Sequence, residues 1–288
     1  VFSWFAVFSA ATPSHLPSLS LLAQGRSERH FNPLACIQQK ALKGALTPEC
    51  TMATIVLALG GSLLRPEVEE RHAWLEELVS IIRDRVLVDD RIGIVVGGGA
   101  PAREGISLAR PIIDNEDRLD RIGIAATRLN ATIVREALAD AGVMVSGTIA
   151  HSINEATMLF DERPVVVMGG TRPGHTTDAV AIRLAIASEA ERCIICTNVD
   201  RVYDSDPRIN PQAKSYDELT HEKLQKIVGP AEHTQAGPSG VVDPMGVADA
   251  TVANLTLCIL DGREHSQIKS AIEGDSFNGT IVQSEEEE

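Results

Sequence analysis

Aromatic side chains are scarce in this chain, ten among 288 residues. Half of them, Phe2, Trp4, Phe5, Phe8 and Phe31, fall in the first 31 residues, and no Met precedes Met52. Long apolar runs are missing as well. No stretch reaches the roughly 18 residues that a membrane-crossing helix needs, so no transmembrane segment is expected. Positive charge is in deficit: 26 Lys and Arg stand against 40 Asp and Glu, a net charge of −14. Such a balance opposes a broad nucleic-acid or anionic-membrane surface, because both require Lys/Arg patches. It leaves room for a small phosphorylated ligand held by backbone amides and a few Arg. Four familiar motifs are absent: the GxxxxGK[ST] phosphate loop, the strand–GxGxxG–helix fingerprint, GxSxG and HExxH. A nucleotide enzyme built from this sequence would use another scaffold.

The charge is unevenly placed. Residues 1–51 carry Arg26, Arg29, Lys40 and Lys43 against Glu28 and Glu49, a net of about +2, and the rest carries about −16. The opening VFSWFAVFSAA is apolar but short, has no basic start and is followed by no clean Ala-x-Ala site, unlike a secretory signal. Its frequent Ser and few acids leave an organelle-targeting segment open, and TPSHLPSLS then breaks any helix. Composition therefore predicts that 1–51 is a poorly ordered or non-native extension, with the physiological start at Met52. One domain over 52–283 is long enough to bury a core without disulfides or structural metal, and SEEEE at 284–288 reads as a solvated acidic tail. Cys36, Cys50, Cys193, Cys196 and Cys258 make an odd set. Cys193-Ile-Ile-Cys196 has redox or zinc spacing, but no second pair stands beside it and it lies in the apolar run RCIICTNV. Buried, inert thiols and cytoplasmic residence are the expectation, and no metal site is assigned.

From Thr54 onward strand-like and helix-like segments alternate. ATIVLAL ends in Gly60-Gly61-Ser62 and is followed by the helical pattern VEERHAWLEELVSIIRDRV; RIGIVV ends in Gly97-Gly98-Gly99 and leads to a helix over Ala102–Ala109. A long helix-period segment runs from about Leu119 to Ala141 and stops at Gly142, a good C-terminal glycine. Val143–Val145, Pro164–Met168, Arg192–Thr197, Asn254–Leu260 and Thr280–Val282 read as further strands. Apolar runs without alternation suit strands covered on both faces, and intervening helices imply parallel crossovers. The expected fold is α/β, a three-layer sandwich with a central, mostly parallel sheet. Ligands of such sheets bind beyond the carboxyl ends of the strands. Here those ends carry GGS, GGG and GGTRPG. Each is weak alone, since glycine also serves ordinary tight exits, but three together would expose many N–H groups to one anion.

The motifs GGS at 60–62, VVGGGAPAR at 95–103, GIAATRLNA at 123–131, GGTRPGHTTDAVA at 169–181 and TNVDRVYDSDP at 197–207 follow one another in an order and spacing that resembles the amino-acid-kinase superfamily, most of all its archaeal-type uridylate kinase branch. AGPSGVVDP near 236–244 and GTIV at 279–282 extend the likeness over nearly all of 52–283, and 1–51 have no counterpart. The resemblance implies a kinase that moves the γ-phosphoryl of ATP to UMP with Mg2+, working as a homo-oligomer, a hexamer by likeness. Such transfer needs charge stabilisation and in-line alignment more than covalent help. On the donor side, the resemblance implies that Gly60, Gly61, Ser62 and Gly99 hold ATP phosphates, with Arg103 adding a bidentate contact that Lys cannot copy. Thr197, Asn198, Tyr203 and Asp206 match the adenosine pocket, although Asp206-Pro207 is also a plain turn signal.

On the acceptor side, the likeness assigns UMP to Gly98, Asp120 and the loop Thr171, Arg172, Pro173, Gly174, His175, Thr176 and Thr177. By itself Asp120 reads as a solvated helix acid near Arg118 and Arg121. His175 reads as an orienting residue, because a phosphate nucleophile is already ionised near neutral pH and needs no base. Asp178 is either a first-turn acid favouring the helix dipole or, as the likeness implies, a catalytic group that organises magnesium and cations together with Arg103. The chain departs from the family pattern at Ala58, Ala100 and Ala248, where relatives often carry Lys, and at Arg201, where Gly is usual. Arg65, Arg172 or Arg201 would then have to supply the lost charge. Carbamate, acetylglutamate, aspartate and isopentenyl-phosphate kinases share the superfamily, and a non-catalytic nucleotide-binding or storage protein is the reading from another class.

Overall fold

The computed structural model describes residues 52–64, 71–207, 209–231 and 241–284. The 1–51 extension with Cys36 and Cys50, Arg65, most of the AGPSGVVDP segment and the acidic end 285–288 lie outside the described residues.

A seven-stranded sheet occupies the centre. Its strands are β1 (Thr54–Leu59), β2 (Arg91–Val96), β3 (Val165–Met168), β4 (Arg192–Thr197), β7 (Glu218–Thr220), β8 (Thr256–Asp261) and β9 (Gly279–Gln283), in the order β3-β2-β1-β4-β8-β9-β7. β5 (Val202–Tyr203) and β6 (Ser215–Tyr216) form a separate antiparallel pair. Every pairing from β3 across to β8 is parallel; only β8 with β9 is antiparallel. The expected α/β sandwich with a mostly parallel sheet is therefore observed.

Burial explains the strand sequences. Along β1, Ile55, Leu57 and Leu59 enter one apolar cluster while Val56 and Ala58 enter the other, so both faces are covered and no polar alternation is tolerated. The first cluster is roofed by α1 (Arg71–Val86), α3 (Glu116–Asp140) and α8 (His265–Glu273), through Trp74, Leu78, Ile82, Val134, Leu138 and Ile268. The second is roofed by α4 (Ile153–Phe160), α5 (Thr177–Ala187), α6 (His221–Val228) and α7 (Pro244–Ala253), through Phe160, Ile182, Leu224 and Val247. α2 (Gly99–Ala109) packs along α3. On α3 the buried residues Thr127, Ala131, Val134 and Leu138 recur every three or four positions, with Asn130 beside them, the stripe of a half-buried helix. Its ends obey local chemistry: Asn115 accepts from the Arg118 N–H at the start, and Gly142 follows the end at φ +76°.

One expected strand is corrected. Val143–Val145 forms no strand, only the single bridge of Val145 to Val165, followed by a second from Ala150 to Met168. The segment between these bridges is longer than the stretch of β3 opposite, so its excess bulges out and breaks the ladder. Pro164, lacking an N–H, cannot extend the pairing the other way. The Cys193 and Cys196 thiols are fully buried in β4, and burial pushes both well up; Cys258 in β8 is pushed up to about 11. All three are buried and free, as expected.

Candidate functional site

Chain order reverses between β1 and β4: β2 and β3 lie on one side of β1, and β4 on the other. Such a switch point leaves a crevice at the strand ends, and a cleft of about 440 Å3 opens there. Gly60 and Gly61 follow β1, Gly97 to Gly99 follow β2, Gly170 follows β3, and Thr197 and Asn198 close β4; all line it. The three glycine exits therefore do converge.

The first wall is built of backbone. A Cβ on Gly61 would lie 2.2 Å from the Gly99 nitrogen, and one on Gly99 would lie 2.3 Å from the Gly61 carbonyl oxygen. Gly99 also takes φ +59°, which only glycine adopts cheaply. The two turns thus interlock with no room for a side chain. α3 fixes them from behind. The Asn130 amide, 4% exposed, donates to the carbonyls of Gly97 (2.7 Å) and Gly98 (3.1 Å). With those carbonyls occupied, they do not oppose an anion in the cleft. One turn earlier, the Thr127 hydroxyl donates to the Ile124 carbonyl (2.6 Å) and accepts from the Gly170 N–H (2.7 Å). A single helix therefore sets the spacing between the β2 and β3 exits.

The second wall is built of side chains on the 171–177 loop. The Asp120 carboxylate accepts from the Gly174 N–H at 2.7 Å and tethers the loop to α3. Thr176 caps α5, accepting from the Ala179 N–H at 3.2 Å, while its hydroxyl donates to Asp243 at 2.8 Å. Asp243 in turn caps α7, accepting from the Gly246 N–H at 2.9 Å. Asp178, in the first turn of α5, faces the cleft from this junction. Burial, assisted by the negative charge of Asp243, raises its carboxyl to about 7. His175 is pulled the other way: burial, then the Arg183 and Arg172 guanidiniums, lower it and keep the ring neutral.

Most of the residues expected from sequence meet here. Gly60, Gly61, Ser62, Gly98, Gly99, Arg103, Asp120, Arg172, His175, Thr176, Thr177, Asp178, Thr197 and Asn198 line the cleft. Pro173 and Gly174 belong to the loop behind it, and Thr171 lines a separate, smaller cavity. Tyr203 and Asp206 do not line the cleft. The Tyr203 hydroxyl donates to Asp200 at 2.9 Å, and the Asp206 carbonyl accepts from the N–H groups of Ile209 and Asn210, the turn that Asp-Pro announced. Three contributors were not singled out from sequence: Thr127, Asn130 and Asp243. Asp243-Pro244 is a cap followed by Pro at the first helical position, a signal legible in retrospect. Thr127 and Asn130 stand in the GIAATRLNA motif, but the motif assigns them no role, because their partners are far away in the chain.

The cationic side chains on the cleft are Arg103 and Arg172; no Lys lines it among the described residues. Ala58 is buried against the second apolar cluster, and Ala248 lines a groove between α6 and α7 instead. Arg201 is ion-paired with Asp217, and its Nε donates to the Asn278 side chain at 3.1 Å, so it is committed elsewhere. The crevice at the switch point is thus lined by glycine backbone, with the Arg103 and Arg172 guanidiniums and the Asp120 and Asp178 carboxyls on it, a combination with the chemistry to receive phosphoryl groups.

Known proteins agree. The family model described as "Amino acid kinase family" matches residues 53–254. The chain is 38% identical over 232 residues to a uridylate kinase of Methanospirillum hungatei, covering 80% of this chain and 95% of the relative. The crystal structure of uridylate kinase from Archaeoglobus fulgidus superposes with a TM-score of 0.68 at 35% identity, covering 80% of this chain and all of that one. The UMP kinase structure from Bacillus anthracis, 21% identical with a TM-score of 0.67 and covering 81% and 97%, shares the fold. The chain belongs to the amino acid kinase family.

Proposed function

We propose that this chain is a UMP kinase, transferring the γ-phosphoryl of ATP to UMP to give ADP and UDP. The observation that carries this reading is the two-walled cleft, lined on one side by glycine backbone and on the other by the side chains of the 171–177 loop. Its uridylate-kinase relatives at 36–38% identity support it. The wall of Gly60, Gly61, Ser62 and Gly99 would cradle the donor phosphates, with Arg103 as the planar clamp on the transferring group. Gly98, Asp120 and the 171–177 loop would hold UMP, whose base could rest on the apolar flank of Ile106 and Ile124. The acceptor phosphate needs no base, which suits a neutral His175.

The residues also fit magnesium. Asp178 sits beside Asp243 with its carboxyl raised, the condition of a carboxylate short of a counter-cation. Among the described residues no three His, Cys, Asp or Glu side chains gather into a cage, and Mg2+ usually binds through one or two carboxylates plus substrate phosphates. Bound there with ATP, Mg2+ would neutralise charge on the phosphoryl oxygens. Asp178 would then be deprotonated and orient that charge.

We further propose a homo-oligomer, a hexamer by family likeness. Leu129 and Ile133, one turn apart on α3, remain 57% and 44% exposed, which suits a subunit contact. Light scattering on the purified chain tests it. No described helix is long and apolar enough to cross a membrane, and buried free thiols suit a reducing cytoplasm. The Lys-free cleft is the observation that favours the rival reading, a nucleotide binder without turnover. A coupled ADP-release assay with UMP, CMP and carbamate separates them. Turnover with UMP is expected; tight ATP binding without turnover would overturn the kinase assignment.

A further inference from the structure

Behind the acceptor loop lies a second cavity of about 250 Å3, lined by Ser152, Asn154, Thr171, Arg172, His175 and Arg183 together with two aliphatic side chains. In a chain of net charge −14, no carboxylate among the described residues lines it. Every polar side chain in it can donate a hydrogen bond. The donors outnumber the acceptors in a countable way. The Arg183 Nη1 lies 2.7 Å from His175 Nδ1, and the Arg172 Nε lies 3.1 Å from Nε2 and 3.3 Å from Nδ1 of the same ring. A neutral imidazole offers one acceptor nitrogen, and its other nitrogen carries a proton. Two guanidiniums therefore compete for one lone pair. Arg183 has a second partner, Asp249 at 2.6 Å; Arg172 has no carboxylate partner among the described residues. Arg183 Nη1 also lies 3.1 Å from Nε2, so both guanidiniums crowd one ring that can accept from only one of them.

We propose that this cavity is an anion site for a tetrahedral oxyanion, a phosphate or the phosphoryl group of a small metabolite. Such a group supplies the missing acceptors: it can receive from the Arg172 guanidinium, the His175 N–H, the Ser152 and Thr171 hydroxyls and the Asn154 amide together. The volume suits one small anion rather than a nucleotide. Because Arg172 and His175 line both this cavity and the main cleft, an occupant draws Arg172 away from the acceptor side and weakens acceptor binding. That kinetic consequence rests on the UMP reading; the binding itself does not.

The test uses the full chain with the main cleft filled by saturating UMP and a non-hydrolysable ATP analogue, and titrates orthophosphate by calorimetry. A site that persists under these conditions is expected, weakened by the same factor by which orthophosphate weakens UMP. Asn154→Asp places a carboxylate at the cavity on an exposed first-turn position of α4, where an acid favours the helix. It should weaken orthophosphate roughly tenfold with unchanged melting and unchanged UMP turnover, while Asn154→Gln stays within about twofold. Arg183→Gln should weaken it similarly. Glycerol 3-phosphate in place of orthophosphate distinguishes a phosphomonoester from the free ion, and binding of either supports the site. If binding vanishes when the cleft is filled, or if Asn154→Asp matches wild type for both probes, the proposal is wrong. In kinetics, orthophosphate should raise the UMP KM of wild type at roughly tenfold lower concentration than it does for Asn154→Asp.

Discussion

The two walls of the cleft solve one problem in different materials. The 60–61 and 97–99 turns are a wall of backbone: Gly60 and Gly97 spend their N–H groups on the Cys196 and Leu59 carbonyls, and Gly61 and Gly99 leave no space for a Cβ. The 171–177 loop presents hydroxyls, a guanidinium and an imidazole, with Thr176 held by Asp243 and Arg172 set against His175. A backbone wall is rigid and offers the same donors to any phosphate, so it suits a common donor. A side-chain wall can be retuned residue by residue, so it suits selection of an acceptor. The contrast predicts that substitutions on the first wall are nearly all-or-none and those on the second are graded.

The sharpest way to break that contrast is Gly61→Ala. The added methyl collides with the Gly99 backbone, and we expect turnover to vanish with a stability loss of about 3 kcal/mol, read by kinetics and denaturant melts. An active, stable variant would mean the turns are not locked. Arg103→Ala comes next, since Arg103 makes no hydrogen bond or ion pair with a described residue and is free for ligand. A fall in kcat/KM of about 100-fold or more is expected, and wild-type activity would refute its assigned role. Asn130→Ala leaves the Gly97 and Gly98 carbonyls without their buried donor, costing about 1–3 kcal/mol and raising the ATP KM more than the UMP KM. Equal effects on both would dissolve the distinction between walls.

Asp178 gives a pH signature. Its folded value, about 7, lies above its ordinary 3.8, so the native state holds the proton more tightly than the unfolded chain. Stability from this group is therefore fully present at low pH and is lost as pH rises between these values. Melting temperature without ligands should fall from pH 5 to pH 8, and Asp178→Asn should flatten that slope; parallel slopes would show that Asp178 is not the titrating group. The smallest effect is expected from Asp120→Asn, which weakens the charge-assisted bond to Gly174 but keeps an acceptor. The UMP KM should rise roughly threefold at unchanged kcat; a large loss of kcat would place Asp120 closer to the chemistry than the loop tether implies.

Much of this molecule was legible in one dimension. β2 and β4 coincide with their apolar runs, because strands covered on both faces must be apolar throughout. Gly142 marked the end of α3 through its left-handed backbone. Short elements were harder: α4, with eight residues, and the two-residue β5 and β6 carry too little periodicity to read. The Val143–Val145 strand failed because pairing depends on what lies opposite, and β3 there is too short to match.

The sequence by itself determined the alternation of elements, the glycine exits and hence the edge of the sheet on which a ligand sits. Only the tertiary structure decided that Asn130 reaches back 33 residues to Gly97, and that Thr176 and Asp243, 67 residues apart, cap two helices as a pair. It also decided that Arg201 is spent on Asp217 while Arg172 faces the cleft. Local patterns are set by backbone sterics and burial within a few residues. The partner of a donor far along the chain exists only once the sheet order has brought the two together.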